Sequence, residues 1–165
     1  MMLENSIRLN GNFSIREQIN MKDVSQIFTH NLVTVRKWNR LILEKFINSG
    51  EDDISVHICP WYDSDWEYYF QLVNPASNMV IWRSEQMPPI KGLTSHINVV
   101  KYQAIDPSER FVVITSANKA RALISWEQAT STQQDTTFMG VLISSPVVSR
   151  TIATTLDNKI RKDQF

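Results

Sequence analysis

The stretch RFVVITSANKARALISWE, residues 110–127, has two apolar runs on either side of a short polar break. Residues 111–114 are all apolar, which is typical of a strand that is buried on both faces. Residues 116–119 are polar, and residues 120–127 again have the pattern of a strand. The stretch therefore predicts two neighbouring strands joined by a short polar connection.

Four further segments have the length and the β-branched or apolar content of strands. They are residues 54–59, 78–85, 96–105 and 138–144. Adjacent prolines in the loop after the second of them cannot join a sheet ladder, so that strand ends before them. Together with the opening pair, these segments supply the strands of a sheet.

Three segments have helical periodicity. Within residues 21–50, apolar residues recur at steps of three and four from Leu32 to Phe46, which gives one apolar stripe. Residues 64–73 predict a second helix that is rich in Trp and Tyr. The third helix begins at Pro146, where the missing N–H of proline costs nothing.

Strands and helices follow one another without strict alternation, so the sequence predicts an α+β (mixed α/β) fold rather than a doubly wound sheet. We expect a central sheet of about five to six strands. An N-terminal helix, the Trp/Tyr-rich helix and a C-terminal helix pack on it. Residues 1–20 are polar and are predicted to form an N-terminal arm, and residues 21–165 a single domain.

The composition argues against several classes of protein. The 165 residues carry a formal net charge of zero, so no global field attracts nucleic acid or an anionic membrane. No apolar run approaches the ~20 residues needed to cross a bilayer, and no signal peptide is recognised at the start. Cys59 is the only cysteine, which excludes an intramolecular disulfide. We expect a cytoplasmic protein with no membrane contact.

The segment VHICPWYDSDWEYYF gathers His57, Cys59, Asp63, Asp65 and Glu67. His57 and Cys59 are two residues apart on a predicted strand and therefore share a face. No ligand spacing completes a metal site, and the acids are explained by their place at a helix start. We therefore predict no catalytic residue, no metal and no cofactor. A small enzyme with Cys59 as nucleophile is the weakest alternative.

A second alternative is a DNA-binding regulator. Residues 21–46 can be interpreted as a short helix, a turn and a recognition helix that carries Arg36, Lys37 and Arg40. Arginines at such positions reach base edges or phosphates. A solvated basic face on a core helix explains the same residues, so both interpretations stay open.

Aromatic residues are unusually dense after the first long helix. Helical spacing explains some of them as core, whereas Trp61, Tyr62 and Tyr68 are left over. Together with Trp66 they are predicted to border a crevice for a ligand or a partner, because such rings combine a large apolar area with a polar tip.

Several segments in this order resemble one family. They are LVTVRKWNRLILEKF, ISVHICPWYDSDWEYYFQLV, NMVIW, IDPSERFVVITSANKARALISWE and TFMGVLISSPVVSRTI. Over roughly residues 30–157 the chain resembles the DICT sensory domain, which is named for diguanylate cyclases and two-component systems. It departs from the family at Trp61-Tyr62, where Phe-Gln is frequent, and at LISSP, where Trp and an acidic-Pro pair are usual.

The resemblance implies a non-enzymatic sensory or regulatory module of bacterial signalling that binds a small ligand or a signalling protein. It also implies that residues 110–127 form the centre of the sheet, with residues 116–119 at its rim. The polar segment 128–137 would be a rim loop, where binding residues are commonly placed.

Overall fold

The computed structural model describes residues 6–60, 78–84, 97–105, 109–128 and 137–163. Two short 3-10 turns lie between the first two strands. The strands and helices are, in chain order, β1 (Ser6–Phe13), β2 (Gln26–His30), α1 (Leu32–Asn48), β3 (Ser55–Cys59), β4 (Asn78–Ser84), β5 (Ile97–Ile105), β6 (Glu109–Thr115), β7 (Ala120–Gln128), β8 (Thr137–Ile143) and α2 (Pro146–Asp163).

The eight strands form one sheet in the order β1-β5-β4-β3-β6-β7-β8-β2. The first four of this order run parallel to one another. From β3 to β2 every neighbouring pair is antiparallel. The mixed α+β class is therefore confirmed, but the sheet is larger than the five to six strands that the sequence predicts.

Both strands that the sequence did not predict lie at the edges of the sheet. β1 falls within the predicted arm, residues 1–20, and pairs with β5. β2 falls within the first predicted helix and pairs with β8. Only Phe28 of β2 is buried, so the strand has little apolar signal of its own. Its position depends on pairing with β8, which a local pattern does not contain.

The pair β6–β7 lies inside the sheet, and residues 110–127 are central as expected. Val112 and Val113 point to opposite faces and are both almost fully buried. The backbone N–H of Ser116 donates to the carbonyl oxygen of Lys119 at 2.8 Å and closes the connection. The predicted continuous burial of this strand is confirmed.

The two helices cover opposite faces of the sheet. We call these the α1 face and the α2 face. On the α2 face, Ile152 and Leu156 pack against Trp82 and Phe111. On the α1 face, Leu43 and Phe46 pack on apolar residues of β3 to β6, and a smaller group joins Phe28, Val35, Leu123 and Phe138.

The ends of the helices follow their local sequence. Asn31 accepts a hydrogen bond from the backbone N–H of Thr34 at 3.0 Å and caps α1. Ser145 accepts from the N–H of Val148 at 3.3 Å, directly before Pro146, as the sequence predicts. Neither α1 nor α2, the two helices within the described ranges, is long and apolar enough to cross a membrane. The predicted helix at residues 64–73 lies outside the described residues.

Candidate ligand-binding site

The aromatic residues predicted to border a crevice, Trp61, Tyr62, Trp66 and Tyr68, all lie outside the described residues. The acids Asp63, Asp65 and Glu67 lie there too. The crevice therefore stays a prediction.

The helix-turn-helix interpretation of residues 21–46 is wrong as a geometry. Residues 21–23 form a single 3-10 turn, and residues 26–30 form β2, which pairs with β8. No α-helix precedes α1 within this stretch, because residues 26–30 pair with β8 as a strand. α1 itself is anchored on the sheet, since Val35 and Leu43 are fully buried.

His57 and Cys59 share the α2 face, as predicted from strand alternation. The imidazole is held between two partners: Trp82 Nε1–H donates to His57 Nδ1 at 3.0 Å, and His57 Nε2 lies 2.9 Å from Asp157 Oδ1. Cys59 is 4% exposed within an apolar core, the environment of a structural thiol. The part of the chain that the structure describes contains no group of His, Cys, Asp or Glu able to hold a metal ion.

A row of cationic residues crosses the other face of the sheet. Arg83 on β4 is the register partner of Lys101 on β5. Continuing the registers one residue past Cys59 places Arg83 and Arg110 on either side of Pro60. The backbones of Arg83 and Arg110 are therefore two inter-strand spacings apart, which is about 10 Å.

Strand alternation assigns these residues to the α1 face. Arg83 is two residues after Ile81 and Lys101 two residues after Val99, and both apolar residues belong to the core beneath α1. Arg110 stands two residues before Val112 of the same core. The three cationic side chains therefore lie on one side of the sheet.

Burial distinguishes this row from a solvated basic surface. Arg83 is 3% exposed and Lys101 is 6% exposed, and Arg110 is half-buried. Lys and Arg are rarely buried to this extent unless negative charge or hydrogen-bond acceptors surround them. Past Arg110 the row continues through Ser125 and Gly140 to Phe28.

α1 adds two further cations from above. Arg36, Arg40 and Ile47 lie on one flank of the helix, because steps of four and seven residues return to the same side. Ile47 packs against the core formed by residues of β3 to β6. The opposite flank, with Trp38 and Leu41, faces β7 and β8 instead. Arg36 and Arg40 are half-buried and share their flank with Ile47.

The first half of α1 lies at the level of the cationic row. Val35 packs against Phe28, whose register partner Gly140 belongs to that row. We call Arg36, Arg40, Arg83, Lys101 and Arg110 the cationic cluster. It lies level with the carboxyl ends of the parallel strands β3 and β4 and with the middle of β5. Glu44, one turn after Arg40, is the next acidic residue along α1.

Sequence reasoning singled out Arg36 and Arg40 as DNA contacts under the alternative only, and it missed Arg83, Lys101 and Arg110. The signal that was available is a single cation within an otherwise apolar strand, as in NMVIWRSE and HINVVKYQAI. A charge at such a position is expensive to bury, so it indicates a specific use. Lys37, the third residue of the predicted DNA-binding set, is exposed on the outer side of α1.

The chain was compared with known proteins. No family model matches it, and no curated protein matches it. Among solved structures, NucT from Helicobacter pylori is similar with a TM-score of 0.41 and 12% sequence identity, over 84% of this chain and 95% of that chain. A likeness at this level assigns no activity to the chain.

Proposed function

We propose that this chain is a non-enzymatic regulatory module that binds a small phosphorylated ligand in the cationic cluster. The observation that carries the proposal is the row of three buried or half-buried cations on the α1 face, beside a helix that carries two more half-buried arginines. Guanidinium groups form paired, charge-assisted hydrogen bonds to phosphate oxygens, which suits a compact multivalent anion. A binding role is also what the resemblance to the DICT domain implies.

The burial of the cluster favours a small ligand over DNA. Phosphate contacts with duplex DNA come from cations that reach outward to an extended surface. Arg83 and Lys101 are at least nine-tenths buried, and neither can lie against a duplex without rearrangement. A phosphate group of a small molecule is compact enough to be contacted by cations of the helix and of the strands together.

A regulatory role is supported by the fact that the cluster combines residues of the helix with residues of the sheet. Arg36 and Arg40 belong to α1, whereas Arg83 and Lys101 belong to the sheet. An anion that contacts both groups links the helix to the sheet, so it binds more tightly to one helix position than to others. Such a difference in affinity is what allows a ligand to shift a conformational equilibrium that a partner protein reads.

Titration calorimetry and thermal unfolding with inorganic pyrophosphate test the proposal. At a ligand concentration about a hundred times Kd, binding stabilises the protein by about 2.7 kcal/mol. For a chain of this size that is a rise in Tm of roughly 5–10 °C. We expect R36Q/R40Q to lose most of this rise, whereas K37Q, which removes one charge from the exposed side of α1, keeps it. Equal losses in both variants, or no response to pyrophosphate, would contradict the proposal.

A gel shift with duplex DNA at increasing salt distinguishes binding of a small ligand from the DNA-binding alternative. A DNA-binding face requires the exposed Lys37 as much as its neighbours, and its affinity falls steeply with salt. If K37Q weakens a salt-dependent complex with DNA as strongly as R36Q/R40Q does, the small-ligand proposal is wrong and the nucleic-acid alternative stands.

A further inference from the structure

A pocket of about 350 Å³ opens between α1 and the strands β7 and β8, on the flank of α1 opposite the cationic cluster. Its volume falls within the range of small-molecule sites. Apolar side chains form most of its wall. The largest of them are Trp38, Ile42, Phe46, Leu123 and Leu142.

Trp38 forms one end of the pocket on a rigid support. Its ring stacks on that of Phe28, with centroids 5.7 Å apart and an interplanar angle of 19°. Phe28 is in turn fixed over Gly140 of β8, its register partner. The aromatic wall is therefore held by the sheet and does not depend on a ligand for its position.

Positive charge gathers at the other end. Lys45 lies in the last turn of α1, and Lys119 and Arg121 flank the start of β7; all three line the pocket. Arg121 Nη1 donates to the carbonyl oxygens of Ala120 and Ser144 at 3.0 and 2.9 Å, which fixes the guanidinium in place.

One carboxylate partly offsets this charge. Lys119 Nζ lies 3.2 Å from Glu51 Oε1, and the Oγ–H of Ser116 donates to the other oxygen of Glu51 at 3.1 Å. Lys45 and Arg121 remain as positive charge in excess of the single acid. The pocket thus joins an apolar body to a cationic end.

We propose that this pocket binds an amphipathic carboxylate, namely a medium-chain fatty acid. The carboxylate lies at Lys45 and Arg121, and the hydrocarbon chain extends along Leu142 toward Trp38. Burial of the chain supplies the affinity, because each CH₂ removed from water contributes about 0.8 kcal/mol. The cations determine the orientation in which the ligand binds. The site is separate from the cationic cluster, but residues of the same helix, α1, line both.

Decanoate below its critical micelle concentration is the probe, with decanol as the uncharged comparison. Titration calorimetry is expected to give a defined 1:1 complex with decanoate and binding at least fivefold weaker with decanol. In labelled decanoate, the terminal methyl is expected to show nuclear Overhauser contacts with the indole of Trp38. Equal affinity for the two ligands, or contacts of the methyl with residues outside the pocket, overturns the proposal.

Two variants and a control locate the site. L142W fills the pocket and is expected to abolish decanoate binding, while a far-ultraviolet circular dichroism spectrum like that of the parent protein shows that the domain is folded. K45Q removes an exposed charge and is expected to weaken decanoate binding about threefold to fivefold, typical of a solvent-exposed charge pair. K22Q, on an exposed 3-10 turn, serves as control. Undiminished binding in L142W, or equal weakening in K45Q and K22Q, counts against the pocket.

Discussion

Trp82 Nε1–H donates a hydrogen bond to His57 Nδ1 at 3.0 Å within the core beneath α2. The indole nitrogen is a donor only, so this nitrogen of His57 acts as the acceptor and carries no proton. The ring proton is therefore on Nε2, which donates to Asp157 Oδ1 at 2.9 Å. The hydrogen bonds thus assign the tautomer of a histidine that is 2% exposed.

The two hydrogen bonds of His57 are expected to differ in energetic weight. Trp82→Phe leaves a buried acceptor without its donor and opens a small cavity, which costs about 2–4 kcal/mol. Asp157 is 53% exposed, so Asp157→Ala costs at most about 1 kcal/mol. Urea unfolding of both variants measures the difference. A larger loss of unfolding free energy in Asp157→Ala than in Trp82→Phe would contradict this expectation.

Glu109 fixes the segment that follows β1. Its carboxylate, 2% exposed, accepts from the Oγ–H of Ser14 at 2.6 Å and from the backbone N–H of Ile15 at 3.0 Å. Arg16 Nε lies 3.5 Å from the same carboxylate, and its guanidinium lies over the ring of Trp126 at 5.3 Å. The carboxylate therefore joins three consecutive residues to the first residue of β6.

Glu109→Gln is expected to release this segment. The amide keeps one acceptor oxygen and no negative charge, so it cannot accept from Ser14 and Ile15 on separate oxygens, and the ion pair with Arg16 is lost. Hydrogen exchange at Ile15 should quicken at least tenfold, and the free energy of unfolding should fall by about 2 kcal/mol. Glu17→Gln, on an exposed neighbour, is the matched control. Protection of Ile15 that stays at the parent level in Glu109→Gln would contradict this role.

Gly140 lets the ring of Phe28 lie directly over β8. A Cβ added at this position would overlap the Phe28 ring, so the ring would have to move and its stacking on Trp38 would be lost. Gly140→Ala is expected to cost about 1–3 kcal/mol. In a Phe28→Leu background the same change should cost at least 1 kcal/mol less, because the overlap is gone. Additive losses in this double-mutant cycle would contradict the packing account.

Asn39 is the buried polar residue of α1 whose presence the fold alone does not explain. It is 4% exposed, between Val35 and Leu43 on the face toward the sheet, and its Oδ1 has no hydrogen-bond partner. Asn39→Leu is expected to raise the free energy of unfolding by about 1 kcal/mol, since an unsatisfied buried acceptor is replaced by an apolar group of similar size. Thermal unfolding measures it, and a clear fall in Tm would contradict the expectation.

Continuous apolar runs made most of this fold predictable. β6 and β7 each contain four consecutive buried residues, so the pattern identified them directly. β2 was missed because only Phe28 of it is buried, and both β1 and β2 pair with a strand that is distant in sequence. Ile15, Phe28 and Glu109 take their roles from contacts between segments far apart along the chain.

The cationic cluster was only partly predictable for the same reason. Arg36 and Arg40 stand out on a helix of clear periodicity, and they were noticed. Lys101 and Arg83 become neighbours only through the parallel register of β4 and β5, which no local pattern specifies. Charged residues inside apolar strands are the signal to follow in such sequences.

The location of a phosphate analogue in the protein tests the central claim most directly. In crystals soaked with tungstate, anomalous scattering gives the position of the metal atom. The account predicts a peak on the α1 face, with tungstate oxygens about 3 Å from the side-chain nitrogens of Arg83 and Lys101. Tungstate found only at other surfaces, at concentrations where pyrophosphate raises Tm, would contradict it.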